Sequence, residues 1–317
     1  MANVFLNYLL FALGFALLVK GANWLIDGSV SFARRLCISE IIIGLTVVAF
    51  GTSAPELVVN IVSSVRGSSD LVVGNIVGSN IANIALVLGV AGLIAPLAVK
   101  KELVKKEIFL GIIGAAAIYL LAVKSGETLT LGRISGGILL TGFTAFLWLI
   151  YRSAKSGEME NVEKHKLSLF AAIGLAVGGL TGLAVGGQLV VGNAIVIAEN
   201  FGISQSLIGL TLVALGTSLP ELVTSIVAIK KNKSDIAIGN AVGSNIFNIF
   251  WVLGLSAVIR PIVFDVKLKF DIIVLGIVTL LFVALIFIGK KYKISKWQSA
   301  VLLAGYIGYL GFIIWRG

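Results

Sequence analysis

Laid over itself, the chain aligns without a gap from Gly21 on Gly186 to Pro96 on Pro261. Between Ile41 and Ile84, 26 of 44 positions match their partners, many of them Gly, Thr, Ser, Pro, Glu, Asn and Asp, which shared hydrophobicity alone does not supply. The repeat is a duplication, so whatever one half folds into, the other folds into as well. At its centre stand Gly51-Thr52-Ser53-Ala54-Pro55-Glu56-Leu57 and Gly216-Thr217-Ser218-Leu219-Pro220-Glu221-Leu222. Each lies inside an apolar run, Ile41 to Val65 and Leu207 to Ile229.

Apolar runs of that length decide the environment. Of 317 residues, 58% are hydrophobic and 13% charged, against roughly 25% charged in soluble domains. Several runs reach the roughly 20 residues that cross a bilayer core, and backbone groups exposed to lipid are satisfied only within helices or closed barrels. The expectation is an all-α polytopic membrane protein. The formal charge of +10 falls in short clusters between the apolar runs, a mark of membrane topology rather than of a nucleic-acid partner. One cysteine, Cys37, excludes an internal disulfide and a thiolate metal cluster. The one histidine, His165, lies in a polar linker, which argues against histidine catalysis in the membrane.

Ten helices are predicted: Val4–Leu36, Ile38–Val65, Leu71–Ala95, Lys106–Val123, Leu131–Tyr151, Leu167–Asn200, Ser204–Ile229, Ile236–Ile259, Phe270–Ile288 and Lys296–Trp315. The first lacks a charged leader region and a small-residue cleavage site, so it reads as a retained helix. A polar linker, 152–166, separates a first five-helix repeat, 1–151, from a second, 167–317. Counting Lys and Arg on alternate loops puts 17 on one side and 7 on the other. The richer side is cytoplasmic, so both termini are expected outside a cell membrane and the linker inside. Five is odd, so the second half is inverted relative to the first, and inverted repeats hold substrate near the midplane on interrupted helices. Glu56 and Glu221 are then expected to face each other across a pseudo-two-fold axis.

A carboxylate in hydrocarbon costs about 2.5–3.5 kcal/mol on insertion scales, and such residues are functional by default. Here it is present twice. Pro55 and Pro220 lack the N–H that would bond the carbonyls of Gly51 and Gly216, which predicts a break in each helix and freed carbonyl oxygens. Thr52 and Thr217 lie four residues before the acids, on the same helix face. Downstream, Asn75, Ser79 and Asn83 form a polar stripe repeated by Asn240, Ser244 and Asn248. The pairs Gly74/Gly78 and Gly239/Gly243 predict close approach of another helix. These groups are hard oxygen ligands without thiolate or imidazole, suited to alkali and alkaline-earth cations, with Ca²⁺ taking about 6–8 oxygens. Two acids held together in low dielectric also make protons competitors of the metal. Lys20 is a possible counter-ion for a buried Glu, but its counterpart is Val185, and that of Asp27 is Gly192. Lys20 and Asp27 are therefore expected to serve each other or to snorkel.

The paired GTSAPEL and GTSLPEL motifs, each followed by GNxVGSNIxNI, resemble the two alpha-repeats of sodium/calcium exchangers in the cation/calcium exchanger superfamily, prokaryotic type. The resemblance implies cation ligands from Thr52, Ser53, Glu56 and the carbonyl of Ala49. It implies likewise Thr217, Ser218, Glu221 and the carbonyl of Ala214, completed by Ser79, Asn83, Ser244 and Asn248. Several prokaryotic and potassium-dependent relatives carry Asp where this chain has Asn248, so this site has one acid fewer. The linker 152–166 is too short for the calcium-sensing domains of animal members. The expectation is a secondary antiporter, not an enzyme, exchanging Na⁺ for Ca²⁺ in the lipid bilayer, with no cofactor, no nucleic acid and no protein partner implied. A proton-coupled divalent-cation antiporter on the same scaffold is the alternative. An intramembrane hydrolase using the two acids and a passive channel are more distant rivals.

Overall fold

The structure, a computed structural model, describes residues 2–100, 109–125, 128–156, 167–201 and 214–316. The first half opens with α1 (Ala2–Arg35), whose last turn carries Arg34 and Arg35 where the helix dipole favours cations. Then α2 (Glu40–Thr52) and α3 (Ala54–Arg66) meet at a 47° bend. After them come α4 (Ser69–Ile94), β1 (Leu97–Ala98), α5 (Phe109–Leu121), β2 (Val123–Ser125), β3 (Thr128–Leu131) and α6 (Arg133–Ser156). The second half follows the same plan with α7 (Leu169–Asn200), α8 (Ala214–Thr217), α9 (Leu219–Lys230) and α10 (Ser234–Ile259). It ends with β4 (Ile262–Asp265), α11 (Leu268–Phe287), β5 (Lys293–Ile294) and α12 (Lys296–Arg316).

Among the described residues, α1, α4, α6, α7, α10, α11 and α12 are each long and apolar enough to cross a membrane, and the bent pair α2–α3 passes as one span. The chain is a multi-pass membrane protein. The predicted starts of the fourth helix, 106–108, and of the seventh, 204–213, lie outside the described residues, as do 157–166 of the linker. The fifth helix runs on to Ser156, past its predicted end at Tyr151.

The all-α expectation needs one correction. Short strands join the ends of helices: β1 pairs antiparallel with β5, Leu97 opposite Ile294, and β2, β3 and β4 form a three-stranded sheet with Leu131 opposite Ile262. Pro96 and Pro261 end the helices before them, and period-two burial follows, with Ile262 and Phe264 inward and Val263 and Asp265 outward.

The two halves are related by an approximate two-fold axis visible in their contacts. Helices α1 and α7 run antiparallel, with Gly14 against Gly186 and Gly21 against Gly179; advancing each residue to its partner in the other half turns the first contact into the second. A β-carbon at Gly21 would stand 2.8 Å from the Gly179 carbonyl oxygen, so only glycine lets these backbones approach so closely. The predicted role of Gly239 and Gly243 holds: β-carbons there would meet Ile41 O at 2.8 Å and Leu45 O at 2.6 Å, which seats α2 on α10. Gly74 and Gly78 have nothing within 4 Å of a β-carbon among the described residues. Burial separates the layers: the spanning windows of α4 and α10 are each 78% buried, those of α1 and α7 only 33% and 22%. The repeated motifs therefore lie in the interior.

Candidate cation site

Each repeated motif breaks its helix at the serine. Ser53 and Ser218 adopt the same non-helical geometry, φ −86°, ψ 9° and φ −86°, ψ 1°, and a new helix starts immediately after each, with proline in its first turn. Proline fits there because the first turn has no use for its missing N–H. The consequence is electrostatic. Glu56 and Glu221 fall in the first turn of α3 and α9, where unpaired N–H groups and the helix dipole favour negative charge.

Both acids are fully buried and near enough to repel each other. Glu221 Oε1 accepts from Ser53 Oγ at 2.8 Å and from Ser244 Oγ at 3.3 Å. The hydroxyls of Ser79 and Thr217 stand beside Glu56 but fall short of hydrogen-bond geometry, and neither Glu56 oxygen has a partner. Around the acids the motifs interlock across the axis. Thr52 donates to Asn240 Oδ1 at 3.0 Å and, symmetrically, Thr217 to Asn75 Oδ1 at 3.3 Å. Ser79 and Thr217 hydroxyls are 3.4 Å apart. The backbone of each acid is held too, with Asn60 donating to Glu56 O at 2.9 Å and Asn240 to Glu221 O at 3.3 Å.

Of the predicted ligands, Thr52, Ser53, Glu56, Ser79, Thr217, Glu221 and Ser244 thus meet in one buried cluster. The Ala49 carbonyl accepts from the Ser53 amide at 3.0 Å, and Thr52 Oγ1 and Ser244 Oγ lie 3.3 and 3.4 Å from it as alternative donors, each having a shorter bond to Asn240 or Glu221 for its one proton. Ala214 opens α8. Ser218 Oγ is buried without a partner, while its counterpart Ser53 bonds Glu221. Asn83 and Asn248 donate across the axis to Asn245 and Asn80 through their nitrogens, at 3.0 and 3.1 Å. The carbonyls expected to open at Gly51 and Gly216 accept no hydrogen bond from Pro55 or Pro220, as proline chemistry requires.

Sequence reasoning passed over Asn80 and Asn245 and left Asn60 and Ser225 unnoticed. The first pair carried a usable signal, identity at both copies of a buried polar position; Asn60 and Ser225 differ between the halves. Lys20 is not the counter-ion of Glu56, whose oxygens are unpaired, and Asp27 pairs with Lys231 at 2.6 Å rather than with Lys20. Their 204-residue separation hid that pair from local reasoning.

Buried polar atoms ordinarily find partners. Here Glu56 Oε1 and Oε2, Glu221 Oε2, Asn83 Oδ1, Asn248 Oδ1 and Ser218 Oγ find none. These six proposed ligand atoms are oxygens, five of them acceptors only; Asn75 Nδ2 and Asn60 Oδ1 nearby are buried without partners as well. Among the described residues no group of three His, Cys, Asp or Glu side chains is assembled, so the donor chemistry is that of hard oxygen ligands and suits an alkali or alkaline-earth ion.

Comparison with known proteins agrees. The family model described as sodium/calcium exchanger protein matches residues 6–152 and again 171–315. The sodium/calcium exchanger MaX1 of Methanosarcina acetivorans is 32% identical over 342 residues, covering 96% of this chain and 97% of that protein. The inner membrane protein YrbG of Escherichia coli strain K12 is 36% identical over 324 residues, 96% of each. Among solved structures, the sodium-calcium exchanger NCX_Mj soaked with 10 mM Na⁺ and zero Ca²⁺ superimposes with a TM-score of 0.84 at 35% identity, covering 97% of this chain and 99% of that one. Family match, full-length likeness and a duplicated acid pair in the interior coincide, and the chain belongs to the sodium/calcium exchanger family, whose members are membrane transporters.

Proposed function

We propose that this protein is a secondary antiporter exchanging Na⁺ for Ca²⁺ by alternating access at one midplane site. Glu56 and Glu221 are its anionic ligands; Thr52, Ser53, Thr217, Ser218, Ser79, Ser244, Asn83, Asn248 and the carbonyls of Ala49 and Ala214 are its neutral ones. The observation that carries the reading is the cluster of partnerless buried oxygens around two acids. Left empty, such a cluster is destabilising; one divalent cation neutralises both charges and satisfies the oxygens together. Sodium ions neutralise the same acids, so occupancy by one ion excludes the other and a sodium gradient drives calcium without ATP. More than two sodium ions per calcium make the cycle electrogenic.

On this reading ten helices cross the membrane as two inverted five-helix repeats, 1–151 and 167–317. The antiparallel run of α1 and α7 supports the inversion. The excess of Lys and Arg on alternate loops supports external termini and a cytoplasmic 152–166 linker.

The test is radiocalcium uptake into proteoliposomes. An outward sodium gradient is expected to drive accumulation that collapses when the gradient is dissipated. Uptake that follows a proton gradient in the absence of sodium would instead assign the scaffold to proton coupling.

A further inference from the structure

Four asparagines, two from each half, close a ring on the approximate two-fold axis. Asn245 donates its Nδ2 to the backbone carbonyl of Asn80 at 3.1 Å, and Asn80 donates to that of Asn245 at 3.3 Å. Asn83 donates to Asn245 Oδ1 at 3.0 Å, and Asn248 to Asn80 Oδ1 at 3.1 Å. All four side chains are buried.

An asparagine amide presents an oxygen at one end and an NH₂ at the other, and a half-turn of the amide exchanges them; the neighbours decide which end goes where. A backbone carbonyl can only accept, so the amide end that reaches it is nitrogen. Anchored by the Asn80 carbonyl, Asn245 must turn its oxygen to Asn83, and only the nitrogen of Asn83 can answer. Asn83 Oδ1 is left free. Starting from the Asn245 carbonyl, the same logic runs through Asn80 and leaves Asn248 Oδ1 free. These two oxygens are buried and unpartnered.

We propose that Asn80 and Asn245 are positioning residues for ion binding: they lock the amides of Asn248 and Asn83 with oxygen, and never NH₂, available to the ion. The inference rests on the cation site proposed above and assigns a role to two residues outside its ligand set. A flipped amide turns N–H dipoles toward a cation, so the lock removes an unproductive conformer instead of adding a ligand, which is affinity gained by pre-organisation. Each lock also crosses between halves, since Asn80 of α4 orients Asn248 of α10 and Asn245 of α10 orients Asn83 of α4.

A carboxylate has oxygen at both ends and cannot be misoriented by a flip, which supplies the test. Equilibrium radiocalcium binding to the purified full-length protein in detergent is measured for Asn80→Ser, Asn248→Asp and the double variant. The ring predicts that Asn80→Ser weakens binding about tenfold when residue 248 is Asn, and less than about twofold in the Asn248→Asp background. Equal loss in both backgrounds, the signature of a residue that only braces helices, overturns the proposal, as does no loss in either. Asn245→Ser with Asn83→Asp repeats the cycle through the other half and serves where Asn80→Ser does not fold. Failure of both serine variants to fold beside a folded Asn248→Asp overturns it too, assigning the ring to bracing alone. Wild-type binding that Glu221→Gln abolishes is the control. Its absence would bring down the cation-site reading itself, an outcome distinct from intact binding with an uncoupled cycle.

Discussion

The two copies of one motif end in different situations. Ser53 and Ser218 share a backbone conformation to within a few degrees of ψ, yet Ser53 bonds the acid of the opposite half while Ser218 bonds nothing. Glu221 consequently has one oxygen accepting two hydroxyls, and Glu56 has both oxygens bare. Near-identical local sequence builds near-identical local backbone; which hydroxyl reaches which acid is decided by how the halves sit against each other. For an antiporter this inequality is useful. On the proposed inverted-repeat reading, a second arrangement with the poses exchanged would move access to the other side.

The largest expected effect is one that ignores the inequality. If both acids bind the same ion, Glu56→Gln and Glu221→Gln each lower radiocalcium binding by ~100-fold or more, since each leaves a desolvated charge partner missing. A variant of either acid that retains binding would show that the bare and the bonded carboxylate do different jobs, and would break the pairing. Acidification acts on both acids at once. Protonation converts an anionic ligand into a neutral acid, so sodium-driven uptake falls as pH is lowered and recovers as it is raised; uptake that rises on acidification would contradict a two-carboxylate site. The measurement is the initial rate across pH with equal pH on both membrane faces.

How much of this was legible beforehand follows from the range of the interactions. The helix breaks could be placed because proline acts on the carbonyl four residues back, and the two acids announced themselves by the cost of charge in an apolar run. β1 and β5 could not, because they are two residues long and each finds its partner only in the opposite half of the chain. Counting at i, i+4 and i+8 from Asn75 found Asn83 but stepped over Asn80, which lies off that stripe and on the two-fold axis. The ion pair of Asp27 with Lys231, and that of Glu40 with Lys233 at 2.5 Å, tie α1 and α2 to the turn after α9, a juxtaposition that exists only once both halves are assembled. The unequal serines were beyond reach of any reading of the motif, since the motif residues concerned are the same in both copies.

The serines offer a sharper and smaller test. Ser53→Ala removes a 2.8 Å hydrogen bond to a carboxylate, and bonds to charged groups contribute about 1.5–3 kcal/mol, so the ion-free protein loses stability on that order. Ser218→Ala removes a hydroxyl without a partner, and the ion-free protein is expected to be unchanged or slightly more stable. In saturating calcium both variants should lose part of the stabilisation that the ion confers, because both hydroxyls are proposed ligands. Thermal unfolding in detergent, with and without calcium, reads all four values. Equal destabilisation of the ion-free forms would show the halves to be equivalent after all.

The smallest difference between the halves lies away from the site. Asp271 near the start of α11 is buried and receives Arg316 Nη2 and the Tyr309 hydroxyl, both at 3.0 Å, from the end of α12. At the 165-residue offset the first half has Lys106, not an acid, so the clamp is not repeated there in the sequence. Arg316 also covers the ring of Phe312 at 5.5 Å. Because the arginine keeps 29% of its side chain exposed, solvent screens the pair and its worth falls toward that of surface pairs. Tyr309 and Arg316 use different oxygens of Asp271, so Asp271→Asn puts an NH₂ in place of one acceptor as well as removing the charge, and is expected to cost about 1–3 kcal/mol in unfolding free energy. In the Arg316→Gln background the same change should cost much less. Calcium affinity should stay within about twofold of wild type in every case, since the clamp holds α11 to α12 and touches neither acid. A clear change in calcium affinity would mean that the outer helices of the second half report to the site, and that the difference between the halves extends beyond the serines.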